Sequence, residues 1–219
     1  SAITLSLWAK VDTAPGGTTE YVFQLPEGLA SSNGCGIRCD SDEFIFDIVT
    51  HSDNNLSPIT IKYAWQLNTW YRLVLTYDGT NAKGYVNGQL IATDAITLGS
   101  GLKHASKKVF LGNFSNQNTL YFAGKLSDAQ VWDTAWTADD VAFDYANPEQ
   151  LALNRGGTSL TESNLKLWYP MNDGHRGQQS YVLDASNTGL GDDVISDGGF
   201  DVDVAESTSG TYWTTGVGW

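Results

Sequence analysis

The chain has 219 residues, of which 41% are hydrophobic and 12% aromatic, enough for one ample core in one main domain. Its 12 Lys and Arg stand against 25 Asp and Glu, a formal net charge of -13, so the field of the protein repels phosphate backbones and anionic membranes and nucleic acid is not an expected partner. No run approaches the roughly 18 apolar residues that span a bilayer, so no membrane insertion is expected, while the carboxylate excess suits either divalent cations or a well-hydrated surface.

Ser1 stands directly before a strand pattern, with no basic start and short apolar run of a secretion signal. A processed product or a piece of something longer is expected, and in either case the missing signal is uninformative. Ile3, Leu5, Leu7, Ala9 and Val11 alternate with Thr4, Ser6, Trp8, Lys10 and Asp12, which predicts a central opening strand with one core face and one wet face carrying an aromatic. Strands are also expected over Glu20 to Leu25 and Gly36 to Asp40, divided by a loop holding Pro26, Gly28 and Asn33. Cys35 and Cys39 would lie about 13 Å apart along an extended strand, beyond disulfide reach, and no second Cys or His cluster completes a metal site, so free thiols are expected. Phe44, Phe46 and Ile48 form the next inward face. The polar loop His51 to Ser57 is either a ligand-binding rim or ordinary solvated chain, and Ile59 to Tyr63 follows it as a strand.

From Trp70 to Asp94 the pattern is an antiparallel meander. Tyr71, Leu73, Leu75 and Tyr77 share one face of a half-buried strand, with Trp70, Arg72, Val74 and Thr76 on the other. Asp78-Gly79 and Asn87-Gly88 supply the turns, the second between Tyr85-Val86 and Gln89-Leu90-Ile91. From Phe122 to Trp132 the alternation slips: Phe122, Gly124 and Leu126 are even-numbered and the later apolar residues Ala129 and Val131 odd. A bulge near Ser127-Asp128 is expected, and bulges redirect side chains near sites as readily as they kink strands. Thr137 with Asp140 makes a capping box for a single short helix near 138–146, in which Val141 and Tyr145 lie one turn apart before Asn147-Pro148. Leu165, Leu167, Tyr169 and Met171 alternate again, with Pro170 marking an edge or a strand end.

W-Y-x-L-x-L-T-Y-D-G-T-x-x-x-x-Y-V-N-G (Trp70 to Gly88), then VFLGNF (Val109 to Phe114) and AGKLSDAQVWDTAWTADDV (Ala123 to Val141), resemble the laminin-G-like branch of the concanavalin A-type jelly rolls over roughly Ile3 to Tyr145. The resemblance implies an all-β fold, a two-sheet antiparallel β-sandwich with that one helix; it does not fix a function, since the fold carries lectins, adhesion modules, glycosidases and virion parts. LKLWYPMNDG and VLDASNTG are similar to the stretch that starts such a domain, yet here they come last. They either complete the sheet or open a second copy. The expected organisation is a sandwich over 1–188, with 164–188 adding a strand, and an extension over 189–219 that holds Trp213 and Trp219 and resembles the start of a further β module.

Laminarinase-type glycosidases of this fold carry E-x-D-x-(x)-E, which this chain lacks; Glu43 and Asp47 would sit about 13 Å apart along a strand, wider than the roughly 5 to 9.5 Å the two mechanisms need. His51, His104 and His175 belong to no HExxH, GxSxG or Cys-His pattern, so no catalysis is expected. Binding is the stronger class. Trp8, Trp65, Trp70 and Trp168 fall on or beside faces opposite the predicted core, where an indole can stack on a sugar or be covered by a loop or a neighbouring subunit. The resemblance further implies a Ca2+ ion held by Asp128, with Asp184 and Asn187 if the late segment takes the usual starting place; the alternative is that Asp128 caps a bulge and Asp184 begins a turn.

Three functions follow from these residues. The first is a carbohydrate-binding or adhesion module of a larger extracellular or virion-surface protein, with a glycan or surface polysaccharide as partner. The second is a structural fibre or capsid decoration protein that assembles with copies of itself or with virion subunits. The third, which the missing acidic motif opposes, is a glycoside hydrolase.

Overall fold

The computed structural model of the protein describes residues 2–26, 34–48, 59–96, 109–113, 120–148 and 150–171. These residues form two antiparallel sheets facing each other, the sandwich expected from the alternation of apolar residues. In spatial order the first sheet runs Leu165–Tyr169 (β11), Gly124–Trp132 (β10), Ile3–Val11 (β1), Trp70–Tyr77 (β6), Asn81–Val86 (β7) and Gln89–Ala95 (β8). The second runs Ile59–Ala64 (β5), Glu43–Ile48 (β4), Gly34–Cys39 (β3), Glu20–Pro26 (β2) and Phe110–Leu111 (β9).

The core between the sheets is built from the predicted inward faces. Leu5, Leu7, Ala9 and Val11 of β1, Tyr71, Leu73, Leu75 and Tyr77 of β6, and Phe44, Phe46 and Ile48 of β4 are all buried in one cluster. Cys35 and Cys39 join that cluster as free thiols, and burial pushes both up to about 12, so neither is a thiolate at neutral pH. The Asn87-Gly88 turn has φ of 51° and 79°, two consecutive left-handed residues that match the twist of the hairpin it closes. At the other turn only Gly79 is left-handed, and the Asp78 carboxylate accepts from the backbone N–H of Thr80 and Asn81.

One expectation fails. Neither β1 nor β6 is half-buried: Thr4 and Ser6 are fully buried on the supposed wet face of β1, as are Arg72 and Val74 on the far face of β6. The reason is a second layer. The helix Ala138–Ala146 (α1) and the turns that follow it pack on the outside of the first sheet, where Val74, Tyr85, Trp132, Trp136, Val141, Leu160 and Leu165 make a second apolar cluster. α1 begins at the predicted capping box, with Thr137 Oγ1 accepting from the Asp140 N–H and the Asp140 carboxylate accepting from the Thr137 N–H. Asp140 also accepts from Arg155 and Thr158, which ties the following segment down over the helix start. Among the described residues β11 pairs only with β10 and is the edge strand of its sheet, consistent with Pro170 at its end. The boundary drawn at 188/189 lies outside the described residues.

Candidate functional site

The site grows from the bulge in β10. Ser6 of β1 pairs with Gln130 and Trp8 with Ser127, so Leu7 alone faces two residues, Asp128 and Ala129. Asp128 absorbs the extra residue with φ of 47°, a left-handed conformation that Asp tolerates better than most side chains. The consequence is a change of face: Leu126 packs inward before the bulge and Ala129 and Val131 after it, leaving Asp128 and Gln130 on the outside under the helix layer.

Beneath Asp128 lies a closed polar network. Arg72 is fully buried; its Nε and Nη2 donate to Asp144 of α1 at 2.6 and 2.7 Å, and its Nη1 donates to the Asp128 main-chain oxygen at 2.9 Å and lies 2.9 Å from Oδ2. Burial works against the guanidinium charge, and the two carboxylates more than offset it, so the Arg72 pKa lies above its ordinary value. Burial pushes the Asp144 carboxyl up and Arg72 pulls it back, yet both its oxygens accept guanidinium N–H bonds, a geometry only the ionised form makes. Ser6 Oγ adds a third donor to Asp144. Gln130 Nε2 donates to both oxygens of Asp128, while its Oε1 accepts from the Trp132 indole. Trp168 Nε1 donates to Asp128 Oδ1 at 2.7 Å, which fixes the indole of the edge strand against the bulge.

Above this network opens a concavity of about 730 Å³ walled by Trp8, Trp70 and Trp168, with Ser127, Asp128 and the rings of Pro148 and Pro170. Its volume falls in the range of small-ligand sites. Trp8 has two ring neighbours, Arg72 at 5.8 Å from the ring centroid and Tyr145 of α1 at 5.8 Å between centroids. Trp70 is 41% exposed. Tyr145 therefore serves the site and not the core, unlike Val141 one turn earlier.

Three of the four tryptophans singled out in the sequence are thus gathered with Asp128 in one place. Trp65 is not: it packs against the core beside Phe44, at 6.4 Å between ring centroids, instead of facing away from it. Asp184 and Asn187 lie outside the described residues, as does the loop His51 to Ser57. Asp128 does not suit a calcium ion, because its carboxylate already accepts from Gln130 and Trp168 and the Arg72 cation sits against it. Among the described residues no three His, Cys, Asp or Glu side chains are grouped to hold a metal. Glu43 and Asp47 are committed separately, to Lys62 and Arg38.

Sequence reasoning missed Arg72, Asp144, Gln130 and the two prolines. The signal for the first was present, since a lone Arg among Trp70, Val74 and Thr76 on one strand face needs a counter-charge if that face is covered. Asp140 and Asp144, one turn apart on the helix, are the acids that could meet it, and Asp144 does.

Comparison with known proteins follows this geometry. A mouse protein, Pappalysin-1, is 26% identical over 162 residues, 67% of this chain, and the chain spans a tenth of that relative's length. Among solved structures, a Bacteroides ovatus protein inferred to bind carbohydrate superposes with a TM-score of 0.62 at 17% identity, over 86% of this chain and 50% of its own. The binding domain of botulinum neurotoxin serotype G superposes at 0.52 and 15% identity, over 67% of this chain and 36% of its own. At these identities the likeness is one of fold. The laminin-G-type profile of the concanavalin A-like lectin/glucanase superfamily matches residues 1–142, and the chain belongs to that superfamily.

Proposed function

We propose that the chain is a non-catalytic carbohydrate-binding module of a larger extracellular or virion-surface protein. The observation that carries the reading is the convergence of Trp8, Trp70 and Trp168, from three strands, on one open concavity with polar groups at its floor. Indoles offer flat apolar area for the C–H faces of a pyranose, while the Ser127 hydroxyl offers an oxygen to its hydroxyls; one apolar wall with a few placed polar groups is the usual make-up of a small-ligand site. The platform is ordered before any ligand arrives, because Trp168 is anchored to Asp128 and Trp8 packs beside Arg72 and Tyr145. Preorganisation of this kind lowers the entropic cost of binding.

Support for a non-catalytic role comes from the acids themselves. Asp144 is 1% exposed and spent on Arg72, and the oxygens of Asp128 are occupied, so the two nearest carboxylates are not arranged as a proton donor and a nucleophile about a scissile bond. The fold likeness to a protein inferred to bind carbohydrate and to a toxin binding domain agrees with the reading.

The test is a glycan array probed with the wild-type chain and with Trp70→Ala. Wild type is expected to bind a defined set of glycans, and the variant to lose about tenfold or more, since Trp70 is the most exposed of the three indoles. Binding that survives the substitution unchanged refutes the site. A chain that binds no glycan but forms oligomers in native mass measurements is instead the structural module.

A further inference from the structure

The arrangement of the indoles across the sheet carries an inference about what the proposed carbohydrate site takes, and it rests on that proposal. Trp168 stands on β11 opposite Gln130, Ser127 and Asp128 on β10, Trp8 on β1 opposite both Ser127 and Arg72, and Trp70 on β6 opposite Lys10. The indoles lie on β11, β1 and β6 of the neighbouring strands β11, β10, β1 and β6, and the registers also step them along the strands, with Trp168 level with Ser6 through Gln130 and Trp70 level with Lys10, so the row runs diagonally across the sheet. Three inter-strand steps of about 4.8 Å and a four-residue offset at about 3.3 Å per residue give a diagonal about 19 Å long, longer than a single pyranose ring can cover. The polar groups of the bulge fall between the first indole and the second.

Charge narrows the ligand further. Among the described residues, no Lys or Arg side chain lines the concavity; Arg72 beside it is fully buried with its donors on Asp144 and Asp128, and Lys10, opposite Trp70, is paired with Asp12. A uronate, sialate or sulfate therefore meets the Asp128 carboxylate and no counter-ion, on a chain of formal charge -13. We infer that the site takes a neutral, linear oligosaccharide of about four residues, laid diagonally across the strands from Trp168 to Trp70, in preference to a single sugar or an acidic glycan.

The experiment is titration calorimetry of the full chain with neutral gluco-, xylo-, manno- and galacto-oligosaccharides of one to six residues, and with oligogalacturonides of the same lengths. For the neutral series that binds, affinity is expected to rise about tenfold or more from the monosaccharide to the tetrasaccharide and then level off, with the acidic series weaker by about tenfold or more. Trp70→Ala is expected to abolish the last step of that rise while leaving the melting temperature near wild type, because it empties one end of the row. A monosaccharide as tight as the tetrasaccharide, or a preference for the uronides, overturns the inference while leaving carbohydrate binding intact. Absence of binding to every series removes both.

Discussion

Replacing Asp144 by Asn tests the network on which the site stands. The substitution keeps the shape and some hydrogen bonding of the side chain but removes the negative charge that takes two of Arg72's N–H donors at 2.6 and 2.7 Å. Arg72 is fully buried and Asp144 1% exposed, so bulk solvent does not reach the pair to replace the carboxylate, and among the described residues Asp128 remains as the only carboxylate on the guanidinium. Breaking one side of a buried pair costs about 3–5 kcal/mol, a large part of the roughly 5–15 kcal/mol that holds a domain together. For a chain of this length that corresponds to a fall in Tm of about 6–20 °C, read by circular dichroism or by the urea midpoint at unchanged m. Adding Arg72→Met to Asp144→Asn is expected to restore part of the loss, because it removes the uncompensated charge and fills the volume with an apolar side chain. A single variant within about 1 kcal/mol of wild type would refute the view that this pair braces the helix layer against the sheet.

Three other outcomes follow from named groups. Backbone N–H groups of Asn81 and Thr80 hold the Asp78 carboxyl at about 2, below the unfolded value, so its contribution to stability is present above the ordinary Asp range and is lost as pH falls through about 2; a carboxyl NMR titration with a midpoint near 4 would contradict the turn geometry. Cys35 and Cys39, buried and pushed up to about 12, are expected to resist a thiol reagent at pH 8 until denaturant is added, and prompt labelling of the native chain would show that β3 opens. Because the Asp128 oxygens are already occupied, calcium and chelator are expected to give the same Tm; a rise of about 5–10 °C at calcium 100-fold above its Kd would restore the ion to the site.

The alternation of apolar residues determined which face of each strand meets the other sheet, because a period of two leaves only one register that buries Leu5 and Leu7 or Leu73 and Leu75 together. The bulge was legible for the same reason, since a slip of parity between Leu126 and Ala129 has no other way to keep both inside. So was the helix start, a matter of three residues bonding to one another from Thr137 to Asp140. Local rules of this kind extend over a few residues and can be read from them.

What lay beyond them was everything that depended on a second layer. Whether Thr4, Ser6, Arg72 and Val74 faced water was decided by a helix that arrives more than sixty residues after β6, and no spacing within a strand reports what will later cover it. Trp8, Trp65, Trp70 and Trp168 looked equivalent in the chain; strand order alone set three of them side by side across β6, β1 and β11 and turned Trp65 toward the core. The role of Asp128 was settled in the same way, by an arginine on a strand 56 residues away and an indole 40 residues on, because electrostatic partners are chosen by distance in space and burial, neither of which is a property of sequence.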